Sequence, residues 1–446
     1  MIDPLELNRA GKALMKPGGA TTPEEAIQAL QGFRFNVVVG QEILTSRNAQ
    51  AALLTLVNAG ARTFLGGVFV TGPVKGARML VDVPSKFDLS ETLAMYGGMQ
   101  GFENEAPALV LIGTAEAPAS WEGIVLRVTW QRWCSSVGHP DVNPPLAEDD
   151  EFSPAAVHAA ATALSELFQL QANLNPMACR RCCSFSLYRP EFDIEDVLNL
   201  PNIEMQLLLP EKLWIIGLGH LGQAYLWNLL ILPYPRTQRP MLVLQDIDVI
   251  SEATISTGML SLKNNIGEKK TRLMGEILEQ NNFQVQLVER LFDGTMTLQD
   301  GEPRRALSGL DNNESRTTLE NAGFLHIIDA GLGASVDQFM DYSIRTFPST
   351  VDAKTLFTKS TSVVNAPDDQ SDIADCGVIQ FANIAVGAPF VGVAVATLVI
   401  AEAIRSTMND SCYVGISGSM RTREGFRAVP KGINAPENLG FIPAQA

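Results

Sequence analysis

The chain has 446 residues, with 33 Lys and Arg against 49 Asp and Glu and a formal net charge of −16. That length allows two or three domains, and 46% hydrophobic with 18% charged residues is enough for a buried core of ordinary size. The acidity argues against nucleic acid as the main partner, because phosphate backbones are held by clustered Lys and Arg; a local site for a small anion stays compatible with it.

The opening MIDPLELNRAG has neither a basic n-region nor an apolar h-region, so no signal peptide is expected and the cytoplasm is the expected location. FRFNVVVGQEILTSRNAQAALLTLVNAGA (33–61) reads as an apolar strand ending in Gly40, then an Ala/Leu-rich helix. The turn between them, GQEILTS, holds one glycine, too few for the backbone to approach a phosphate closely. AAVHAAATALSELF (155–168) reads as a long apolar helix with a late Glu. The six cysteines (134, 179, 182, 183, 376 and 412) are read as reduced thiols. Cys179 and Cys182 form a C-x-x-C. A closed zinc site needs four ligands and no second pair exists, so small buried hydrophobes are the alternative. LYRPEFDIEDVLNLPNIE (187–204) reads as a linker. It divides the chain into 1–200 and 201–410, with a strand and tail over 411–446.

The second half opens with WIIGLGHLGQAYLWNLL (214–230): strand, tight turn, helix. Gly217, Gly219 and Gly222 complete G-x-G-x-x-G, a turn that cradles phosphates when it does not merely pack a helix on a sheet. MLVLQDID (241–248) supplies a strand with Asp246 at its carboxyl end, 24 residues past Gly222 (246 − 222), and Asp248 just beyond. An acid near this spacing hydrogen-bonds a ribose, and alone it favours NAD. NNIGEKKTRLMGEILEQNN (264–282) reads as a helix with Lys269 and Lys270 in its first turn. Two lysines there oppose the macrodipole, which a nearby anion would relieve; solvated surface lysines are the alternative. ALSGLDNNES (306–315) puts Asp311 just past a short strand. Ligands of open α/β sheets bind at strand carboxyl ends, and a carboxylate facing phosphates suits Mg²⁺. The combination favours MgATP over NAD. APFVGVAVATLVIA (388–401) is an apolar run of 14 residues followed by Glu402, and reads as a buried helix, not a membrane span. Its resemblance to 155–168, with the matching strand openings, implies a duplicated α/β domain.

Taken in order, Gly217-x-Gly219-His220-Leu221-Gly222, Asp246-Ile247-Asp248, Ile266-Gly267-x-x-Lys270 and Leu310-Asp311-Asn312-x-x-x-Arg316 resemble the MoeB/ThiF/ubiquitin-activating enzyme superfamily. DCGVIQFANIAVGAPFVGVAVATLVIAEAIR (375–405) resembles the family's closing segment, a cysteine before a Gly/Pro-rich turn and long helix, and ELNRAGKALMKPGG (6–19) resembles its N-terminal arginine helix. An inactive half fused to an active one is most similar to the BilD-type activating enzymes of bacterial ubiquitin-like conjugation operons linked to phage defence.

The resemblance implies two tandem Rossmann-like domains of the ThiF type, paired as a pseudo-dimer within one chain, the first degenerate. It implies ATP and Mg²⁺ as cofactors. The C-terminal carboxylate of a ubiquitin-like protein would attack the α-phosphate, and a ubiquitin-conjugating-like enzyme would later receive the activated protein. Asp246 and Asp248 would serve the nucleotide, Asp246 at the ribose; Asp311 would hold Mg²⁺; Lys270 and Arg9 would stabilise phosphate charge; Cys376 would form the thioester. The acidic PDDQSDIAD (367–375) before Cys376 fits exposure but would raise the thiol pKa. Cys412, in SCYVGIS, is the second candidate.

The sequence departs from the family in three places. Ala253-Thr254-Ile255-Ser256-Thr257-Gly258 stands where the family writes S-N-x-x-R-Q, and His220 replaces a customary glycine. The 41 residues after Arg405 (446 − 405) are too few for a ubiquitin-fold domain. Three rival classes remain: adenylation of a sulfur-carrier protein, NAD-dependent oxidoreduction, and a non-catalytic binding module.

Overall fold

In the computed structural model the described residues are 8–15, 19–83, 87–200, 207–361, 385–408, 412–431 and 441–444. The first half contains α1 (Pro23–Gly32), β1 (Arg34–Val39), α2 (Arg47–Ala61), β2 (Gly67–Thr71), α3 (Leu89–Met95), β3 (Gly98–Gln100), β4 (Ala108–Ile112), β5 (Ile124–Gln131), β6 (Cys134–Gly138), α4 (Ser153–Gln171) and β7 (Cys183–Ser186). A short α5 (Ile194–Leu198) and β8 (Leu208–Pro210) lead to the second half. There follow β9 (Lys212–Ile216), α6 (His220–Ile231), β10 (Met241–Gln245), α7 (Glu252–Ile255), α8 (Lys270–Gln280), β11 (Gln284–Val288), β12 (Arg305–Ser308), α9 (Asn313–Arg316), β13 (His326–Leu332), β14 (Asp341–Phe347), α10 (Ala353–Thr361), α11 (Pro389–Thr407), β15 (Tyr413–Ser419) and β16 (Arg427–Pro430).

The two sheets repeat one topology. The first runs β3-β2-β1-β4-β5-β6-β7 and the second β11-β10-β9-β12-β13-β14-β15-β16. In each, five parallel strands precede antiparallel ones. The chain reverses direction across the sheet between β1 and β4, and again between β9 and β12. A crevice opens there at the strand carboxyl ends.

Helices α2 and α4 of the first half pack against α6 and α11 of the second. The closing helices are apolar all round because neither side meets water: Pro389–Arg405 is buried throughout. Phe168 stands 5.6 Å from Phe390 and 6.1 Å from Phe339, ring centre to ring centre, so the halves share one core. The tandem Rossmann-like pseudo-dimer read from the sequence is the architecture observed. The N-terminal helix is a correction. Within the described residues that segment is a single 3₁₀ turn, Gly11–Leu14. The Asn8 side chain takes the Ala10 N–H at 2.9 Å and the Ser256 hydroxyl takes the Arg9 N–H at 3.3 Å, so these amides are bonded outside any α-helix.

Three histidines, His158, His220 and His326, are held neutral by burial and make the fold sensitive to acid, two of them outside the ligand crevice. Burial, with Arg423 nearby, pushes His158 down to about 4. Burial, with Arg305 and Lys431, pushes His326 down to about 3. The unfolded chain therefore takes up these protons first. The stability the pair supports is complete above pH ~6.5 and falls as pH drops toward the folded values. Between pH 6.5 and 5 the expected loss is about 2 kcal/mol per histidine. Burial pushes Glu148 up to about 7, which adds stability over the same interval, so the histidine share is read by comparing wild type with His326→Gln in denaturant at pH 7 and pH 5: the variant should lose less on acidification, and an equal loss would contradict it.

Candidate functional site

A cleft of about 590 Å³ lies at the switch point of the second sheet, and it gathers residues distant in sequence. Arg9, Gly217, Gly219, Asp246, Asp248, Lys270 and Asp311 all line it. The glycine turn sits between the end of β9 and the start of α6. Gly217 has φ +82°, a left-handed conformation in which a side chain is strained. A Cβ on Gly222 would stand 2.0 Å from the Gly217 carbonyl oxygen, so this glycine closes helix against turn. Gly219 caps α6 and has nothing within 4 Å of its Cβ position, leaving the helix N-terminus open to the cleft. Such a terminus, with unpaired N–H groups and positive dipole, favours an anion.

The two acids after β10 differ in role. Asp246 accepts the Leu218 N–H at 2.6 Å and the Asp248 N–H at 2.7 Å, so its carboxylate fixes the turn. Asp248 accepts the Lys270 ammonium at 2.8 Å, yet its side chain is 61% exposed, making it the more open acceptor. Lys270 begins α8 and is 10% exposed, with Asp246 at 3.8 Å on its other side. The neighbouring Lys269 instead donates to the Ile247 carbonyl. Of the two lysines opposing the dipole, Lys270 faces the cleft.

Asp311 projects past β12 and is exposed. Arg9 faces it from the first half: its Nε donates to the Ala385 carbonyl at 3.0 Å. Burial lowers the Arg9 pKa, and Asp311 opposes that fall. Arg316, on α9, donates to the Ala330 carbonyl at 2.8 Å and has Nε 3.5 Å from buried Asp329. Where the family's Asn and Arg are missing, the wall consists of the small side chains Ser251, Ala253, Thr254 and Thr257. Arg290 also lines the cleft and escaped the sequence reading. Its signal was present, since it lies two residues past β11, at the same edge of the sheet. His220 fits in place of a glycine because Gly392 leaves room: a Cβ there would lie 2.3 Å from the imidazole Nε2. Burial, then Arg9, pushes His220 down to about 3, so it is neutral and does not compete for an anion.

The matching place in the first half is filled from within. Glu42, in the 3₁₀ turn Gln41–Leu44 after β1, occupies the position of Gly219 counted from the strand end. Its Oε2 lies 2.2 Å from a Cβ built on Gly40 and 2.6 Å from one on Gly113. A carboxylate thus takes the space where an anion would sit.

Cys376 lies outside the described residues. Cys412 lies beside Glu402 and Arg305, near the amino end of β12 and so across the sheet from Asp311. Burial, reinforced by Glu402, pushes its thiol up to about 12. Nucleophilic attack needs the thiolate, which this environment disfavours. For the zinc alternative, no group of three His, Cys, Asp or Glu that could hold a metal occurs among the described residues. The cleft does fit Mg²⁺ bound chiefly through a nucleotide, since that ion is held by one or two carboxylates plus phosphate oxygens. Asp311, exposed at the cleft edge past β12, is a carboxylate that could hold it.

Residues 34–187 match the BilD N-terminal domain family and residues 209–410 the BilD C-terminal domain family. The bacterial E1-like protein BilD of Collimonas sp. (strain OK412) is 36% identical over 433 residues, covering 94% of this chain and 93% of that protein. Among solved structures, E. coli tRNA N6-threonylcarbamoyladenosine dehydratase, TcdA, matches at 13% identity and TM-score 0.29, over 44% of this chain and 84% of its own. E. coli MccB with succinimide matches at 14% identity and TM-score 0.34, over 51% and 65%.

Proposed function

The chain belongs to the bacterial E1-like BilD family, and from that premise we propose that it activates a ubiquitin-like protein with ATP. The C-terminal carboxylate of that protein attacks the α-phosphate, pyrophosphate leaves, and an acyl-adenylate forms. An enzyme thiol then attacks the acyl carbon, releasing AMP and a proton and leaving a thioester for transfer to a conjugating enzyme. The observation that carries this reading is the convergence of glycine turn, Asp248–Lys270 pair, Asp311 and Arg9 in one cleft.

Each residue has a task that its position supports. The turn and the α6 N-terminus receive phosphate oxygens. Lys270 and Arg9, with Arg316 and Arg290 nearby, neutralise charge as pyrophosphate departs, which is where electrostatic catalysis acts most strongly. Asp248 and Asp246 face the ribose side. Mg²⁺ would offset phosphate charge beside Asp311. Reaction of a carboxylate with a phosphate needs positioning more than acid–base chemistry. Cys376 is the proposed nucleophile. It lies nine residues before Ala385, which bonds Arg9 (385 − 376). Chain of that length reaches at most about 30 Å, and Cys412 is the half-buried alternative beside the amino end of β12.

The test is ATP–pyrophosphate exchange that depends on a polypeptide with a free C-terminal carboxylate. Exchange with no such dependence, or nicotinamide binding in place of ATP, would sink the reading. The cysteine is examined on non-reducing gels. Cys376→Ala is expected to keep exchange and lose the reductant-sensitive adduct, whereas Cys412→Ala keeps both. An adduct lost only in Cys412→Ala moves the nucleophile. No adduct in the wild type means that the enzyme stops at the adenylate, as a sulfur-carrier activator would.

A further inference from the structure

Helix α2 carries an unusual set of polar groups for a helix buried in an interface. Arg47, Thr55, Asn58 and Arg62 (its C-cap) fall at i, i+8, i+11 and i+15. At about 100° per residue these positions share one face. Every one of them reaches into the second half. Arg47 donates to the Ile231 carbonyl at the end of α6 at 2.9 Å. Thr55 accepts the Trp227 indole N–H, midway along α6, at 3.1 Å. Asn58 donates to the Met259 carbonyl at 2.9 Å. Arg62 donates to the carbonyls of Ile255 and of Ser261, the latter at 3.1 Å, and is itself oriented by Asn58 Oδ1 at 3.0 Å.

The partners of Asn58 and Arg62 lie in the segment 255–261, which continues the cleft wall formed by Ser251, Ala253, Thr254 and Thr257. From the other side Gln223 of α6 accepts the Leu260 N–H at 3.0 Å and the Ser261 hydroxyl at 2.9 Å. The same Gln223 donates to the Leu218 carbonyl in the glycine turn at 3.2 Å. The Arg62 carbonyl also accepts the side-chain amide of Asn8, next to Arg9. Wall, glycine turn and Arg9 are therefore tied together through one end of α2.

Resting on the ATP reading above, we propose that Arg62 and Asn58 are positioning residues for the nucleotide cleft: the half that holds no nucleotide sets the wall against which the other half binds one. This role is distinct from donating Arg9, since neither residue lines the cleft. It also gives the cleft wall a support that does not need the family's Asn and Arg, both absent here.

Arg62→Met keeps the length of the stem and removes all three hydrogen bonds, to Ile255, Ser261 and Asn58. ATP affinity of the full chain is measured by calorimetry, alongside hydrogen exchange of residues 251–262 and the KM and kcat of pyrophosphate exchange. The variant is expected to weaken ATP binding about tenfold or more, the worth of a hydrogen bond to a charged group. It should speed exchange in 251–262 and raise KM more than it lowers kcat. Arg62→Lys, which keeps the charge and fewer donors, should fall between. If Arg62→Met does not fold, Arg62→Lys and Asn58→Ala carry the same test. A folded variant with wild-type ATP affinity, or unchanged protection of 251–262, overturns the proposal. A wild-type protein that binds no ATP overturns the functional reading itself, so the two failures are told apart.

Discussion

Replacing Asp311 by alanine is expected to cut ATP–pyrophosphate exchange by about 10²–10³-fold or more, the usual effect of deleting one group that stabilises charge in the transition state. The carboxylate is exposed, and no hydrogen bond holds it among the described residues. Arg9 faces it across the cleft and feels its charge. Removing it costs the fold little, since substitutions away from packed or paired sites shift stability by about 0.5 kcal/mol or less. The thermal midpoint should stay close to that of the wild type while exchange is lost. Asp311→Asn, which keeps the shape and drops the charge, should lose as much. Near-normal exchange by either folded variant would remove Asp311 from the mechanism.

The largest stability effect is expected at Glu402, far from the cleft. Glu402 and Arg405, both 1% exposed, pair at 2.5 Å. Arg405 also donates to the Leu187 carbonyl of the first half and lies 4.9 Å over the Tyr413 ring. The other oxygen of Glu402 accepts the Tyr413 N–H at 2.9 Å, fixing the chain as it enters β15. Glu402→Ala leaves a buried guanidinium without its counter-charge and a backbone donor without its acceptor. Breaking such a pair from one side costs about 3–5 kcal/mol. Urea unfolding of the variant measures this, and a loss below about 1 kcal/mol would mean that water or another acceptor replaces the carboxylate. Glu402→Gln retains an acceptor for Tyr413 and should lose less. Glu166 does the same work in the first half, accepting the Cys179 N–H at 2.8 Å and pairing with Arg181 at 2.6 Å. The late glutamates of the two closing helices are thus one device used twice.

What the sequence determined by itself was everything set by neighbours along the chain. Strand, turn and helix over 214–230 follow from an apolar run, the glycine spacing and a second apolar run. The buried character of 389–405 follows from the absence of a polar stripe. The family's order of glycines, Asp246, Lys270 and Asp311 was legible for the same reason, since each motif is a short local pattern with its own backbone requirement. The tertiary structure alone decided which of these groups do what. That Asp246 holds the turn while Asp248 stays open depends on the Leu218 amide, 28 residues away. That the first half is filled by Glu42, and not merely short of glycines, depends on how β1 and β4 end side by side. That α2 braces the cleft depends on bonds spanning from 172 to 201 residues, from Thr55–Trp227 to Asn58–Met259. Periodicity records only whether a side chain faces inward. It does not record which distant carbonyl waits there, because that partner is fixed by how two sheets and four helices pack, and many sequences with the same pattern could pack with other partners.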